Sequence, residues 1–187
     1  MQRFVPILAA AVLASLPAAA APVAFSGSIS RVNPGPQPGL RCAPALTIVN
    51  GNSGGSSAGG TSNIGAFSYE GTQCIVPPPT GTFNGLWTMD FGGGVTLKGT
   101  NSSVLTLASP GIFNIAVNYL VTGGTGRFGR ATGSFDETGT LDRRDLSRTV
   151  ALGDFAGTIQ TPTPGGLAFG GLVLGAGMLA ARRRRSA

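Results

Sequence analysis

The stretch Phe113–Gly133, FNIAVNYLVTGGTGRFGRATG, decides how the rest of the chain is read. Phe113, Ile115, Val117, Tyr119 and Val121 fall on one face; Asn114, Asn118 and Thr122 fall on the other, with Ala116 and Leu120 between them. Successive side chains of a strand point to opposite faces, so this period of two is that of a half-buried β-strand. Gly123, Gly124 and Gly126, followed by Arg127 and Phe128, supply the backbone freedom for a tight reversal. Thr132, Ser134, Asp136 and Thr138 then open a second strand with a polar face. The pattern predicts a hairpin whose five apolar residues face inward together, with no helix after Gly129.

Working outward, the same texture recurs. Val23–Val32 alternates, with Phe25, Gly27 and Ile29 against Ser26, Ser28 and Ser30, and reads as a first strand. Asn33–Gly39 breaks it with three prolines and two glycines. Ala45–Asn50 reads as a short strand, and Gly51–Ser62 has the Gly, Ser, Asn and Ala composition of a flexible loop. Ile64–Glu70 is another strand. In the next, Phe83, Trp87, Met89 and Phe91 share a face, and Gly92-Gly93-Gly94 turns the chain into Val95–Gly99. Val104–Ala108, Ala131–Leu141 and Thr149–Ile159 complete the series. Repeated short strands punctuated by turns predict an all-β domain over about residues 22–160, a small antiparallel barrel or, as the runner-up, a β-sandwich. The whole reads as that domain flanked by an N-terminal signal helix and a C-terminal apolar helix.

Composition agrees. The chain has 187 residues, 42% hydrophobic and only 11% charged, with 31 Gly and no His, which argues for strands and turns against long surface helices. The formal charge of +6 is concentrated at the ends, where Arg3 and Arg182, Arg183, Arg184 and Arg185 supply five positives. Residues 21–161 hold eight basic and seven acidic side chains, so no basic face is left for nucleic acid.

The two ends read as topology signals. Met1–Ala20 has Arg3, an apolar core from Phe4 to Leu16, then Pro17 and Ala18-Ala19-Ala20, the layout of a secretory signal peptide cleaved after Ala20. At the other end, Pro162-Thr163-Pro164 precedes an uncharged run to Ala181, followed by Arg182–Arg185. As a helix that run would span about 25 Å, slightly short of a ~30 Å hydrocarbon core, and the arginines would hold the tail on the cytoplasmic side. The reading is three segments: signal peptide 1–20, β domain 21–161 and sorting signal 162–187. Cys42 and Cys74 are the only cysteines, and an even pair in an exported chain predicts a disulfide. Closing the segment between them would contribute roughly 3–4 kcal/mol in the chain-entropy model.

Two resemblances follow from these residues. The tail, with Pro162, Thr163 and Pro164, the apolar run and the terminal arginines, resembles the PEP-CTERM sorting signal of Gram-negative bacteria, with Thr163 where Glu is usual. That resemblance implies an exosortase-type processing enzyme as partner, transient residence in the inner membrane, and a mature domain at the cell surface or outside the cell among exopolysaccharide. The middle, Ile64-Gly65-Ala66-Phe67, Gly71-Thr72 and Tyr119–Gly133 with its GGTGRF core, resembles exported domains of the allene oxide cyclase-like barrel type. It implies a small antiparallel barrel and carries over no catalytic residue.

Chemistry is constrained by what is missing. Without histidine, His-based nucleophile activation and general acid–base catalysis are excluded. Gly123, Gly126 and Gly129 mimic a dinucleotide-binding spacing, but that chemistry needs a helix after the loop, and ATGSFDETGTLD alternates. Asp136 and Glu137, adjacent in a strand, point to opposite faces and form no glycosidase pair. Asp142 and Asp145 sit among Arg143, Arg144 and Arg148 as a solvated cluster, short of the ligands calcium needs. Arg127 is expected to support its turn by bonding carbonyls. No catalytic residue, metal ligand or cofactor is assigned. The leading reading is a non-enzymatic surface or matrix protein. The alternative is a small-ligand barrel with Phe83, Trp87, Phe113 and Tyr119 around an apolar cavity, and a cyclase-like isomerase ranks third. A hollow interior of a few hundred Å³ would favour the ligand reading, and a filled one the first.

Overall fold

The computed structural model of the chain describes residues 22–34, 36–38, 40–43, 45–51, 57–75 and 80–161. The expected signal peptide and sorting helix, on 1–20 and 162–187, lie outside the described residues. The described residues form ten strands: β1 (Pro22–Asn33), β2 (Gln37–Pro38), β3 (Leu46–Asn50), β4 (Ser57–Ser62), β5 (Gly65–Ile75), β6 (Gly81–Asp90), β7 (Thr96–Ser109), β8 (Ile112–Gly124), β9 (Thr132–Asp142) and β10 (Thr149–Gln160).

Eight of them close a barrel in the order β5-β4-β1-β10-β9-β8-β7-β6, with β6 pairing back onto β5. Every pairing is antiparallel. Closure removes the free edges that would otherwise invite pairing with another chain. Below β4 on the same edge of β5, β3 pairs with Gly71–Ile75, and β2 adds two residues to β3.

The central hairpin forms as its alternation requires. β8 pairs with β9 from Ile112↔Asp142 to Val121↔Gly133. Ile115, Val117, Tyr119 and Val121 are buried inside the barrel, and Phe113 is partly buried at its rim. Between the strands, Gly126–Phe128 makes a single 3-10 turn in which Gly126 has φ +58°, a conformation that favours glycine. Among the described residues no helix follows Gly129. This turn closes one end of the barrel. Phe128 is buried against Phe91, with ring centroids 5.5 Å apart, and Ile64 and Val95 pack onto the same cluster. Arg127 donates from Nη2 to the Ile64 carbonyl at 2.9 Å and lies 4.9 Å over the Phe128 ring, the carbonyl-bonding role expected of it.

The middle of the barrel is filled. Phe135 stacks on Tyr119 with centroids 4.5 Å apart and touches Phe25, Trp87 and Phe155 at 5.1, 5.5 and 5.4 Å. Each such ring contributes on the order of 1.5–3 kcal/mol by leaving water. A gap at this centre would be felt by all of them.

Several expectations are corrected. Phe83 does not share a face with Trp87: it is 41% exposed, whereas Trp87 and Met89 are buried. A β-bulge between Thr82 and Gly85, with Asn84 at φ +48°, inserts a residue and reverses the phase of the strand before it. The Gly51–Ser62 stretch is not all loop, since β4 occupies Ser57–Ser62. Its own side chains favour a strand weakly, but β1 and β5 flank it and supply the pairing that composition does not. The expected strands Val95–Gly99 and Val104–Ala108 merge into the single strand β7, which starts at Thr96. Likewise the strand starting near Ile64 runs on to Ile75.

Candidate functional site

The interior divides at a belt of polar side chains. β1 places Arg31 inward in phase with Phe25 and Ile29, and β9 places Glu137 inward in phase with Phe135. Arg31 is 4% exposed and Glu137 1%. The guanidinium donates from Nη2 to Glu137 Oε1 in a buried ion pair, and from Nη1 to the Tyr119 hydroxyl at 2.7 Å. That hydroxyl donates in turn to Glu137 Oε2 at 2.7 Å, closing a ring of three side chains. Arg31 also lies 5.8 Å from the centre of the Tyr69 ring, and Asn101 Nδ2 donates to the Tyr69 hydroxyl at 3.4 Å. The backbone makes room for this belt at Gly153, where any Cβ would sit 2.4 Å from Glu137 Oε1.

The electrostatics follow from burial. Desolvation alone would pull the Arg31 pKa down, but the fields of Tyr119 and Glu137 outweigh it and raise it, so the cation is permanent. Burial pushes the Tyr119 phenol well above its ordinary value although the charge of Arg31 pulls the other way. Tyr69 is raised for the same reason. Both phenols therefore stay protonated and act as hydrogen-bonding groups. With both its oxygens engaged, Glu137 serves as a counter-ion.

Toward the end of the barrel where β1 finishes and β10 begins, the belt forms one wall of a cavity of about 60 Å³, partly open to solvent. Arg31 is the belt residue that lines it. Its apolar walls include Ile48, Ile75, Leu105, Ile115 and Leu141, and its polar walls include Asn33, Asn50, Gln73, Thr82, Ser103 and Thr149. Most of these polar groups are already paired: Asn33 Nδ2 donates to Asn50 Oδ1 at 3.1 Å, Thr149 Oγ1 donates to Asn33 Oδ1 at 2.5 Å, and the Thr82 and Ser103 hydroxyls are 2.8 Å apart. Gln73 is the exception, 7% exposed and without a side-chain hydrogen bond among the described residues. Arg143 stands at the same wall, with its guanidinium 6.0 Å from the Phe113 ring centre.

The residues singled out in the sequence lie elsewhere. Cys42 and Cys74 are bonded, with Cα atoms 5.4 Å apart, and pin a 3-10 turn at Leu40–Cys42 to the outside of β5. Gly123, Gly124, Gly126, Arg127 and Phe128 cap the end of the barrel opposite the cavity. Asp142 and Arg144 form an exposed ion pair at 2.6 Å, and the hydrogen bonds from Arg144 lower the Asp142 carboxyl to about 2. Asp145 accepts from the backbone and hydroxyl of Ser147 at 2.9 and 2.6 Å. Among the described residues no three acidic or cysteine side chains gather as a metal site. Trp87 and Tyr119 are core, their rings edge-to-face at 5.5 Å, and Phe83 lines no cavity with them.

The sequence reasoning missed the Arg31–Glu137 pair. The available signal was phase: each is a charge at an inward position of an alternating strand, and the two are opposite in sign. Comparison of the chain with protein-family models, with curated proteins and with solved structures found no match.

Proposed function

We propose that this chain is the precursor of an exported, non-enzymatic barrel that works at the cell surface or in the extracellular matrix. The observation that carries the reading is the filled interior. From Phe128 up to Arg31 the barrel is packed with aromatic side chains, and the interior cavity beyond Arg31, about 60 Å³, is far below the roughly 300–1,000 Å³ of a site that engulfs a small-molecule substrate. The polar belt supports the same reading, because its carboxylate is neutralised by Arg31 and its tyrosines are held protonated. Export and sorting rest on Met1–Ala20 and on the Pro162–Arg185 layout, whose resemblance to PEP-CTERM signals points to exosortase processing. The segments around the GGTGRF turn resemble the allene oxide cyclase-like type in sequence, and that resemblance carries over no catalytic residue.

Fractionation of native cells, with mass spectrometry of the mature form, tests this. The expected product begins at Ala21, ends near Pro162–Gly165 and is found in the envelope or medium. An uncleaved chain in the cytoplasm overturns the proposal.

A further inference from the structure

We propose that the cavity at the β1–β10 end of the barrel is a binding subsite for the carboxylate of a short aliphatic acid. Gln73 and Arg31 receive the carboxylate, and the alkyl part lies along Leu105, Ile115 and Leu141. Export plays no part in this inference, which stands or falls independently of the role proposed above.

Three observations carry it. The first is Gln73. The residue is 7% exposed overall, and its amide faces the partly open cavity without a hydrogen bond among the described residues, so it is free to meet a ligand. Its neighbours around the cavity satisfy one another, through Asn33 with Asn50 and Thr82 with Ser103, which leaves the Gln73 amide as the group awaiting a partner. The second is charge. The cavity wall holds two arginines, Arg31 and Arg143, and no carboxylate. Glu137 lies behind the wall and balances only Arg31, so the cavity has a net positive field suited to an anion. Arg31 has five N–H donors, of which Nη1 and Nη2 each commit one within the belt, so the guanidinium can donate into the cavity. The third is size and polarity. At about 60 Å³ the space is less than half of the roughly 150 Å³ that accommodates benzene, so it encloses the carboxylate and the carbon next to it while the rest of a short chain extends into the opening to solvent. The isoleucine and leucine walls match methylene groups.

The test is titration of the full chain with butyrate, followed through the side-chain amide resonances of Gln73, which are assigned by their loss in Gln73→Leu. Butyramide serves as the neutral isostere. The expected result is that butyrate in the millimolar range shifts the Gln73 amide pair. Its affinity should fall roughly tenfold in Gln73→Leu, the worth of one hydrogen bond to a charged group, and butyramide should bind at least that much more weakly. Arg143→Gln should weaken butyrate as well, by a smaller factor. The unfolding midpoint of Gln73→Leu should not fall, because the amide it removes has no partner in the free protein; this separates lost binding from lost fold. An unmoved Gln73 resonance, unchanged affinity in Gln73→Leu, or equal binding of butyramide and butyrate overturns the proposal.

Discussion

Removing either half of the Arg31–Glu137 pair should be far more costly than removing both. In Glu137→Leu the guanidinium stays inside the barrel, 4% exposed, with its counter-ion gone; in Arg31→Met the carboxylate is stranded in the same way. Breaking a buried pair from one side costs about 3–5 kcal/mol, so the two single variants together predict a loss of about 6–10 kcal/mol if the sites were independent. The double variant Arg31→Met/Glu137→Leu leaves no buried charge. Its remaining defect is the Tyr119 hydroxyl, which loses the Arg31 donor at 2.7 Å and the Glu137 acceptor at 2.7 Å. An orphaned hydroxyl costs about 1–3 kcal/mol, and adding Tyr119→Phe should recover most of that. The coupling energy is therefore at least about 3 kcal/mol. Urea unfolding gives it directly, followed by the fluorescence of Trp87, the single tryptophan, whose ring lies 5.5 Å from Tyr119. Sucrose can hold the single variants folded where a total stability of about 5–15 kcal/mol would be exhausted. Additivity of the single variants to within about 0.5 kcal/mol would refute the reasoning.

Other consequences are as direct. Tyr69 and Tyr119 are the only tyrosines, and burial raises both pKa values above the ordinary ~10. The unfolded chain then sheds these protons first, so stability is level below pH ~10 and falls as pH rises beyond it. Tyrosinate absorbance should appear for both residues at once, together with unfolding; half of it titrating near pH 10 in folded protein would contradict the burial argument. Replacing Cys42 and Cys74 by serine should lower stability by about 3–4 kcal/mol, the chain-entropy value for the separation of 32 residues, as read by the urea midpoint at unchanged activity of the core signal from Trp87. Gly153→Ala should destabilise by about 1–3 kcal/mol, because its methyl group displaces the Glu137 carboxylate. Introduced into Glu137→Leu, the same alanine should cost a different amount, and equal costs in both backgrounds would show that the carboxylate contact is not the cause.

How much of this was legible depends on what each element relies on. The β8–β9 hairpin was legible because its alternation is unbroken over ten residues, and a slip of one would expose every inward side chain. The disulfide was legible from an isolated cysteine pair. β4 was not, since Ser57–Ser62 offers one apolar side chain, Ala58, and takes its conformation from β1 and β5. Phe83 misled because a bulge changes the phase of a strand without changing its composition. The Arg31–Glu137 contact lies 106 residues apart in sequence and becomes visible only once the barrel sets β1, β10 and β9 side by side. Gln73 was hidden for the same reason, because an unpaired amide is a property of surroundings that a sequence does not list.

The belt also answers a difficulty this composition creates. The outer faces of β1 and β9 are built largely from Ser, Thr, Ala and Asp, with few large side chains to fix one strand against the next. A one-residue slip is prevented by the alternation of faces. A two-residue slip is not: it keeps every side chain on its own face and exchanges one small outer residue for another. Inside, that slip of about 6.6 Å parts Arg31 from Glu137 and leaves two charges buried without partners. It also carries a Cβ into the space that Gly153 leaves for the Glu137 carboxylate. The buried pair adds little to net stability compared with an apolar replacement, yet it penalises every slipped arrangement by several kcal/mol, which is the discrimination that an exterior of small polar residues cannot supply.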